Sequence, residues 1–531
     1  MKKHLKKAIC LFMFFCVLFC FAQKKQNPKK NQEQLIKEVK AKIEKSMFEV
    51  VVPKPKEENL VYMYDLPFDF IDDSIRNDKY LLVASAFLAN DGLFYSSAAP
   101  FKLLEQTQYG PYYIRDNGGK IYKIGQVESF ATNRGFIAFR AENFDEKKTK
   151  TCLSAGESPG INTQVFTAAY ELGDGLVVRT GNVTAKIDES NNGEWKWFRF
   201  SPSAAPKTSG GPLVNQNGEV IGIIVPEVDT ESFTYALPFD EVYEIAPNTG
   251  EVIYQFPYTM ISMDKKKFHH KFYNEISLPK NLETVQKTLR TGFLRYRYEI
   301  AENLIPHFGA KGKQGFLFSS GSSDILSSGT VPAFPLLVGL SNQNKWVFQQ
   351  PQNIYEELSE DGGGIIYGGM MGTIFAVVKK ADNIPFEKFC LESSNYIDYL
   401  LLVNEISRTV AGESVPIISF GKAVKVDNYH DAQGRTWYID YWNLPFADSM
   451  AVSYALPLPE GIFVMLKISN TDTITAISCK SLEFAADCVY PRYVSTLKNW
   501  KDFLLFLEQT KTVYPPFDNL ELKHSDEAIS I

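Results

Sequence analysis

A serine between a lysine-threonine pair and two glycines carries the first chemistry in this sequence. Lys207-Thr208-Ser209-Gly210-Gly211-Pro212 precedes an apolar strand start, Leu213-Val214, then Asn217-Gly218 and a second apolar run from Val220 to Val225. Asn-Gly between two apolar runs predicts a tight hairpin. A hydroxyl at the head of such a loop can be held open beside a strand with backbone N–H groups around it. Acyl-transfer nucleophiles need that arrangement. Taken alone, Ser-Gly-Gly-Pro also suits an ordinary surface turn.

A serine hydroxyl is a weak nucleophile until a base takes its proton. The six histidines are His4, His269, His270, His307, His430 and His524, and of these only His4 precedes Ser209. Lys207 stands two residues away and could act as the base only if buried and neutral, whereas a loop lysine is ordinarily solvated. His269 and His270 lie in the basic run Lys265 to Lys271, which reads as an exposed linker. No Cys-x-x-Cys pair occurs, so no thiolate zinc site, metal or other cofactor is expected. Gly362-Gly363-Gly364 and Gly368-Gly369 lack a following Gly-Lys-Ser/Thr and predict a hairpin or bulge, not a phosphate loop. Ser319 to Asp324 reads as a flexible loop.

The elements around Ser209 are short strands. Tyr80 to Leu88, Leu93 to Ser96, Tyr112 to Arg115, Lys120 to Val127, Phe136 to Arg140, Gln164 to Ala169, Leu176 to Val183, Trp195 to Phe200, Gly218 to Val225 and Phe233 to Leu237 are apolar or alternating. Turn residues separate them at Asn90-Asp91-Gly92, Asn117-Gly118-Gly119 and Gly173-Asp174-Gly175. Many short strands at this spacing predict an all-β barrel or sandwich.

Residues 60–245 resemble trypsin-like serine proteases of the HtrA type. The stretch around Ser209 is similar to that family's Gly-Asn-Ser-Gly-Gly-Pro-Leu-Val-Asn, turn, Gly-x-Val-Ile-Gly-Ile. Ala84 to Ala99 resembles the block that ends Thr-Asn-Ala-His, and Gln126 to Arg140 the block that ends Asp-Leu-Ala-Val-Leu-Lys. Gly173 to Ala185 resembles the later strands, and Phe233-Thr234-Tyr235-Ala236-Leu237-Pro238 the closing Phe-Ala-Ile-Pro. The resemblance implies two β-barrels with Ser209 between them. It also implies where the chemistry departs. The family's histidine falls on Ala99 and its aspartate on Gly135, or on Phe136 if the register slips by one. In the oxyanion loop Lys207 replaces the usual glycine and Thr208 the usual Asn or Asp, while Gly210 is kept. In this family the histidine takes the serine's proton and the aspartate orients it, so the resemblance implies a triad with two members missing.

The chain has 531 residues, with 56 Lys+Arg against 62 Asp+Glu and a net charge of −6. Residues 1–22 read as a secretory signal peptide. Lys2, Lys3, Lys6 and Lys7 form the basic start, Ala8 to Ala22 the apolar stretch, and Cys20-Phe21-Ala22 a cleavage site. That stretch is short for a membrane span, so no transmembrane domain is expected after cleavage. A lipoprotein anchored through Cys20 ranks second because Phe19 is bulky. Removing the leader makes the balance more acidic, which argues against nucleic-acid binding and leaves a protein or peptide as the expected partner. Export permits disulfides, and Cys479 and Cys488 are close enough in sequence to bridge, although buried or free thiols are an equal alternative.

The expected organisation is a charged N-terminal arm over 23–59, the double barrel over 60–245, a linker with some helix over 246–300, and a separate α+β domain over 301–531. The arm could carry a short helix through Leu35, Val39 and Ile43, with Met47 just beyond. Strands in the last part include Gly372 to Val378, Pro416 to Phe420, Arg435 to Trp442, Met450 to Leu456 and Ile462 to Ile468, closed by a helix through Val494, Leu497, Trp500, Leu504 and Leu507. No PDZ-like carboxylate-binding loop is recognisable after the barrels. Alternation over Trp437 to Trp442 puts Trp437, Ile439 and Tyr441 on one face. Tyr438, Asp440 and Trp442 take the other, which could meet a ligand or partner. The fold class is mainly β plus α+β. The function expected is an exported pseudo-protease acting in binding or scaffolding. The alternatives are a serine hydrolase with an unconventional base, and a ligand-binding role carried by the C-terminal domain.

Overall fold

The computed structural model describes residues 28–55, 59–105, 107–145, 152–189, 193–201, 209–226, 234–258, 268–293, 295, 371–430, 435–458 and 461–469. It also describes the short strands Val338–Leu340, Trp346–Phe348, Tyr355–Leu358 and Gly364–Gly368. Cys479, Cys488, Lys207, Thr208, the leader and the closing helix expected near Trp500 lie outside these residues.

Two rings of antiparallel strands close on themselves. The first runs, neighbour to neighbour, Met47–Pro53, Tyr80–Leu88, Phe94–Ser97, Phe136–Ala141, Ile121–Ala131 and Tyr113–Arg115, which returns to Met47–Pro53. The second runs Gln164–Glu171, Gly175–Asp188, Lys196–Phe200, Thr234–Pro238, Val220–Val225 and Pro212–Val214, closing on Gln164–Glu171. With strands counted in chain order within each barrel, both rings read 1-2-3-6-5-4. The same closed order twice in tandem is a trypsin-like double β-barrel. Closure leaves neither ring an unpaired edge.

Period-2 alternation explains why the strands are apolar on both faces. Ala84, Ala86 and Leu88 point into the first barrel with Ile137 and Phe139. Their neighbours Phe87, Phe136 and Ala138 point the other way, into a core shared with Phe166, Ala168, Val214 and Ile223 of the second barrel. Leu213, Ile221 and Ile224 fill the second barrel itself. One face of each of these strands therefore meets a lumen and the other the partner barrel, which is what near-continuous apolar runs require.

The barrel boundaries differ from those expected. The first barrel begins at Met47, because the run Met47-Phe48-Glu49-Val50-Val51-Val52 pairs with Tyr80–Leu88 on one side and Tyr113–Arg115 on the other. Among the described residues the helix Pro28–Ser46 precedes it. That helix starts on a proline, whose missing N–H is no loss in a first turn, and it packs Val39 and Ile43 into the inter-barrel core. Its Lys42 Nζ donates to the Gly218 carbonyl at 2.7 Å. Residues 246–300 are likewise no simple linker. Thr249–Tyr258 and Phe268–Ser277 form a long hairpin that joins the first sheet through Gly250 and Glu251. The helix at 282–293 then buries Leu282, Val285, Leu289 and Phe293 against the first barrel's core. His269 and His270 accordingly sit in strand, paired with Pro257 and Phe256, not in a linker.

The C-terminal part is an antiparallel seven-stranded sheet. Its order is Tyr355–Leu358, Gly364–Gly368, Met371–Lys379, Gly461–Ser469, Ser449–Leu458, Thr436–Leu444 and Lys425–His430, accompanied by helices Phe386–Leu391 and Ser394–Val403. The aromatic strand Thr436–Leu444 is buried on both faces: Trp437, Ile439 and Tyr441 on one, Asp440 and Trp442 on the other. The second face is therefore not a free ligand surface. The helix around Tyr396 covers Asp440, and Trp442 Nε1 donates to the Gly421 carbonyl at 3.1 Å.

Burial pushes the Asp440 carboxyl up from its ordinary value, and a hydrogen bond from Ser393 only partly opposes this. A raised carboxyl binds its proton more tightly in the folded state, so its contribution is present at low pH and lost as pH rises through the folded value. Asp440→Asn is expected to gain stability over the parent as pH rises from the unfolded value through the raised folded value of Asp440, and to level off above it. Urea melts from pH 4 to 8 measure this, and a parallel pair of curves would refute it.

Candidate functional site

Ser209 enters from the loop ahead of strand Pro212–Val214 and is 9% exposed. Both barrels hold it. Its carbonyl accepts from the Ser85 N–H at 3.0 Å, on the first barrel, and the next residue, Gly210, donates to the Ile224 carbonyl at 2.7 Å, on the second. Ile224 N–H returns a bond to the Gly211 carbonyl at 2.8 Å. The loop is pinned at the junction of the barrels by backbone bonds, which constrain position more tightly than side chains would.

Glycine is obligatory here. Gly210 has φ +92°, a region L residues rarely adopt, and a Cβ on it would collide with the Ser85 carbonyl oxygen and Ser96 Oγ, with Ser97 N only 2.9 Å away. Ser96 Oγ donates to the Ser85 carbonyl at 2.7 Å, and Ser85 Oγ accepts from the Tyr170 N–H at 2.8 Å. Three buried serines of the first barrel, Ser85, Ser96 and Ser97, thus form the seat of the loop. Reading the sequence by motif missed them, although the Ser85 and Ser96-Ser97 positions fall inside the block that resembled the protease family. The Ser97 hydroxyl is buried and has no hydrogen-bond partner among the described residues.

Ala99 follows two residues after Ser97, exposed, at the start of a single 3₁₀ turn Ala99–Phe101. Its neighbour Ala98 donates an N–H to the Gly135 carbonyl at 2.9 Å. The positions expected to match the family's histidine and aspartate are therefore neighbours, and Ser97, two residues before Ala99, has its backbone N close beside Gly210 of the Ser209 loop. Gly135 has φ +74° and a would-be Cβ 3.3 Å from Val225 Cγ1, while Phe136 is fully buried in the inter-barrel core. Arg134 beside it pairs with Glu241 at 3.3 Å and lies 4.5 Å over the Trp195 ring. Burial raises the Glu241 carboxyl, with Arg134 pulling it back.

Among the described residues no side chain is hydrogen-bonded to the Ser209 hydroxyl, and no cluster of His, Cys, Asp and Glu could hold a metal ion. His430 lies in the C-terminal sheet, where its Nδ1 is 3.1 Å from Thr436 Oγ1. Cys152 and Cys390 are free thiols, and burial raises that of Cys390. No helix among the described residues is long and apolar enough to cross a membrane.

The loop after Ala99 also carries a contact that sequence reasoning did not foresee. Asp448, 3% exposed, accepts from Lys102 Nζ at 2.5 Å, Thr107 Oγ1 at 2.7 Å and the Gln108 N–H at 2.6 Å. Gln108 Nε2 donates to the Ser449 carbonyl. On the same side, Val61–Tyr62 pairs with strand Glu413–Ser419, and Arg408 lies over the rings of Phe446, Phe68 and Tyr62. The C-terminal domain is docked on the first barrel next to the candidate site.

No known protein family matches the sequence, and no curated protein matches it either. Comparison with solved structures finds the HtrA-type protease AlgW with a tripeptide, at 16% identity and a TM-score of 0.29, covering 39% of this chain and 60% of that one. The Rv3671c protease from M. tuberculosis in its active form aligns at 15% identity and a TM-score of 0.28, over 39% of this chain and 81% of that one. AlgW with a decapeptide aligns at 16% identity and a TM-score of 0.30, over 39% of this chain and 64% of that one. The chain thus spans less than two thirds of these two AlgW chains. At these scores the fold rests on the strand order of the two barrels rather than on the superpositions.

Proposed function

We propose that this chain is an exported, non-catalytic relative of trypsin-like proteases that binds or scaffolds a protein or peptide partner in the cell envelope. The observation that carries this is the Ala98 to Gly135 hydrogen bond at 2.9 Å. It puts the two positions that should supply base and orienting carboxylate side by side, and Ala99 and Gly135 have neither. Export rests on the leader-like composition of residues 1–22. Absence of a general base ordinarily removes ~10²–10⁴ of rate. Restoring the pair is also opposed by the backbone, since an aspartate at residue 135 would need the left-handed φ that glycine takes there.

A fluorophosphonate probe tests the reading. The protein is expected to label at least ~10²-fold more slowly than an intact serine protease, with no difference between parent and Ser209→Ala. Ala99→His alone is expected to change nothing. Stoichiometric labelling that disappears in Ser209→Ala would replace this reading with that of a hydrolase. Its further loss in Lys207→Met would name the lysine as the base.

A further inference from the structure

A cavity of about 400 Å³ opens on the outside of the first barrel, between the helix at 282–293 and the loop that runs from Glu105 to Tyr112. This volume is in the range of small-molecule sites. It lies behind the Ala99 loop. Gln286 Nε2, on its helix wall, donates to the Phe101 carbonyl at 2.8 Å, and Tyr112 Oη donates to the Pro100 carbonyl at 3.0 Å. Nothing in the proposed loss of catalysis uses it.

Its walls are of two kinds. Tyr109, Pro111, Tyr112 and Leu282 give an apolar side. The helix at 282–293 also contributes Lys287 and Arg290, three residues apart and so on one face. Lys123 also lines the cavity but is taken by Glu283 at 3.2 Å. Lys287 and Arg290 make no ion pair among the described residues, although Arg290 is half-buried. A partly desolvated guanidinium without an anion is an unfavourable arrangement, and its planar fork matches a carboxylate with two parallel hydrogen bonds. Glu105 and Glu283, which also line the cavity, oppose a second negative charge. The combination selects one negative charge on an apolar body.

We propose that this cavity binds a monocarboxylate with an aromatic or aliphatic body, its carboxylate on Arg290 and Lys287 and its body against Tyr109 and Tyr112. The same chemistry occurs in a free small acid and at a peptide C-terminus. Calorimetric titration of the full chain uses 3-phenylpropionate, N-acetyl-alanyl-phenylalanine, the amide of each, and inorganic phosphate. Saturable binding of an acid, with its amide and phosphate at least about tenfold weaker, is expected. The tighter of the two acids names the source. Arg290→Gln should weaken the acid at least about tenfold, while Arg290→Lys should fall between because it keeps the charge but loses the fork. Unchanged melting temperatures in both variants exclude a folding effect. Equal binding of acid and amide, tighter binding of phosphate, or an Arg290→Gln variant that binds like the parent would overturn the proposal.

Discussion

Gly210→Ala should collapse the seat of the Ser209 loop. Two costs coincide at this residue. Alanine at φ +92° loses roughly 1–2 kcal/mol relative to its preferred backbone, and its methyl would be driven into the Ser85 carbonyl and Ser96 Oγ, an overpacking that typically adds about 1–3 kcal/mol. Neither neighbour can yield easily. Ser85 is in mid-strand and its N–H is bonded to Ser209, and Ser96 Oγ is bonded to the Ser85 carbonyl. The expected loss is about 3 kcal/mol, a melting point lower by roughly 10 °C for a unit of this size. Gly119→Ala is the control. Gly119 has φ +80° but nothing within 4 Å of a would-be Cβ, so only the backbone term applies. Calorimetry on the two variants separates the terms, and equal melting points would show that the loop is not seated between the barrels.

Asp448→Ala should undock the C-terminal domain from the first barrel. The carboxylate is 3% exposed and accepts three hydrogen bonds, from Lys102, Thr107 and Gln108. Removing it leaves the Gln108 N–H and the Thr107 hydroxyl without their acceptor, at about 1–3 kcal/mol for each buried group left unsatisfied. Lys102 is a quarter exposed and recovers water, so its share is small. A loss of about 3 kcal/mol in domain coupling is expected, seen as a separate early transition on urea unfolding and as faster proteolysis in the segment 54–79. Asp448→Asn keeps an acceptor oxygen and should lose about half as much. A change within about 0.5 kcal/mol for the alanine variant, as at ordinary surface sites, would sink the idea of a clamp.

The two predictions draw on information that stood at different distances from the sequence. Strand Tyr80–Leu88 was legible to the residue, and Val220–Val225 nearly so, because period-2 alternation and turn residues are local. The Ser209 loop and the lack of a preceding histidine beyond His4 were legible as well, since residue order needs no structure. The positions of Ala99 and Gly135 came from the resemblance, and their adjacency came only from the fold, through one backbone bond between Ala98 and Gly135.

Composition and order alone determined a strand-rich chain with a serine in a glycine loop, no upstream imidazole beyond His4, and an acidic balance. Tertiary structure decided what each apolar run faces. Met47–Pro53 sits beside a Lys/Glu-rich helix and reads as part of a charged arm, yet it closes a barrel because its partners lie at Tyr80–Leu88 and Tyr113–Arg115. Asp440 and Trp442 alternate as a surface face would, yet the helix around Tyr396 covers the first and the Phe420-Gly421 segment the second. Asp448 looks like a loop carboxylate until Lys102, hundreds of residues earlier, is brought to 2.5 Å. Alternation and turn chemistry act between neighbours and are written locally. Burial of a face and pairing of a charge depend on which distant segment arrives to cover them, and only the folded chain brings that segment there.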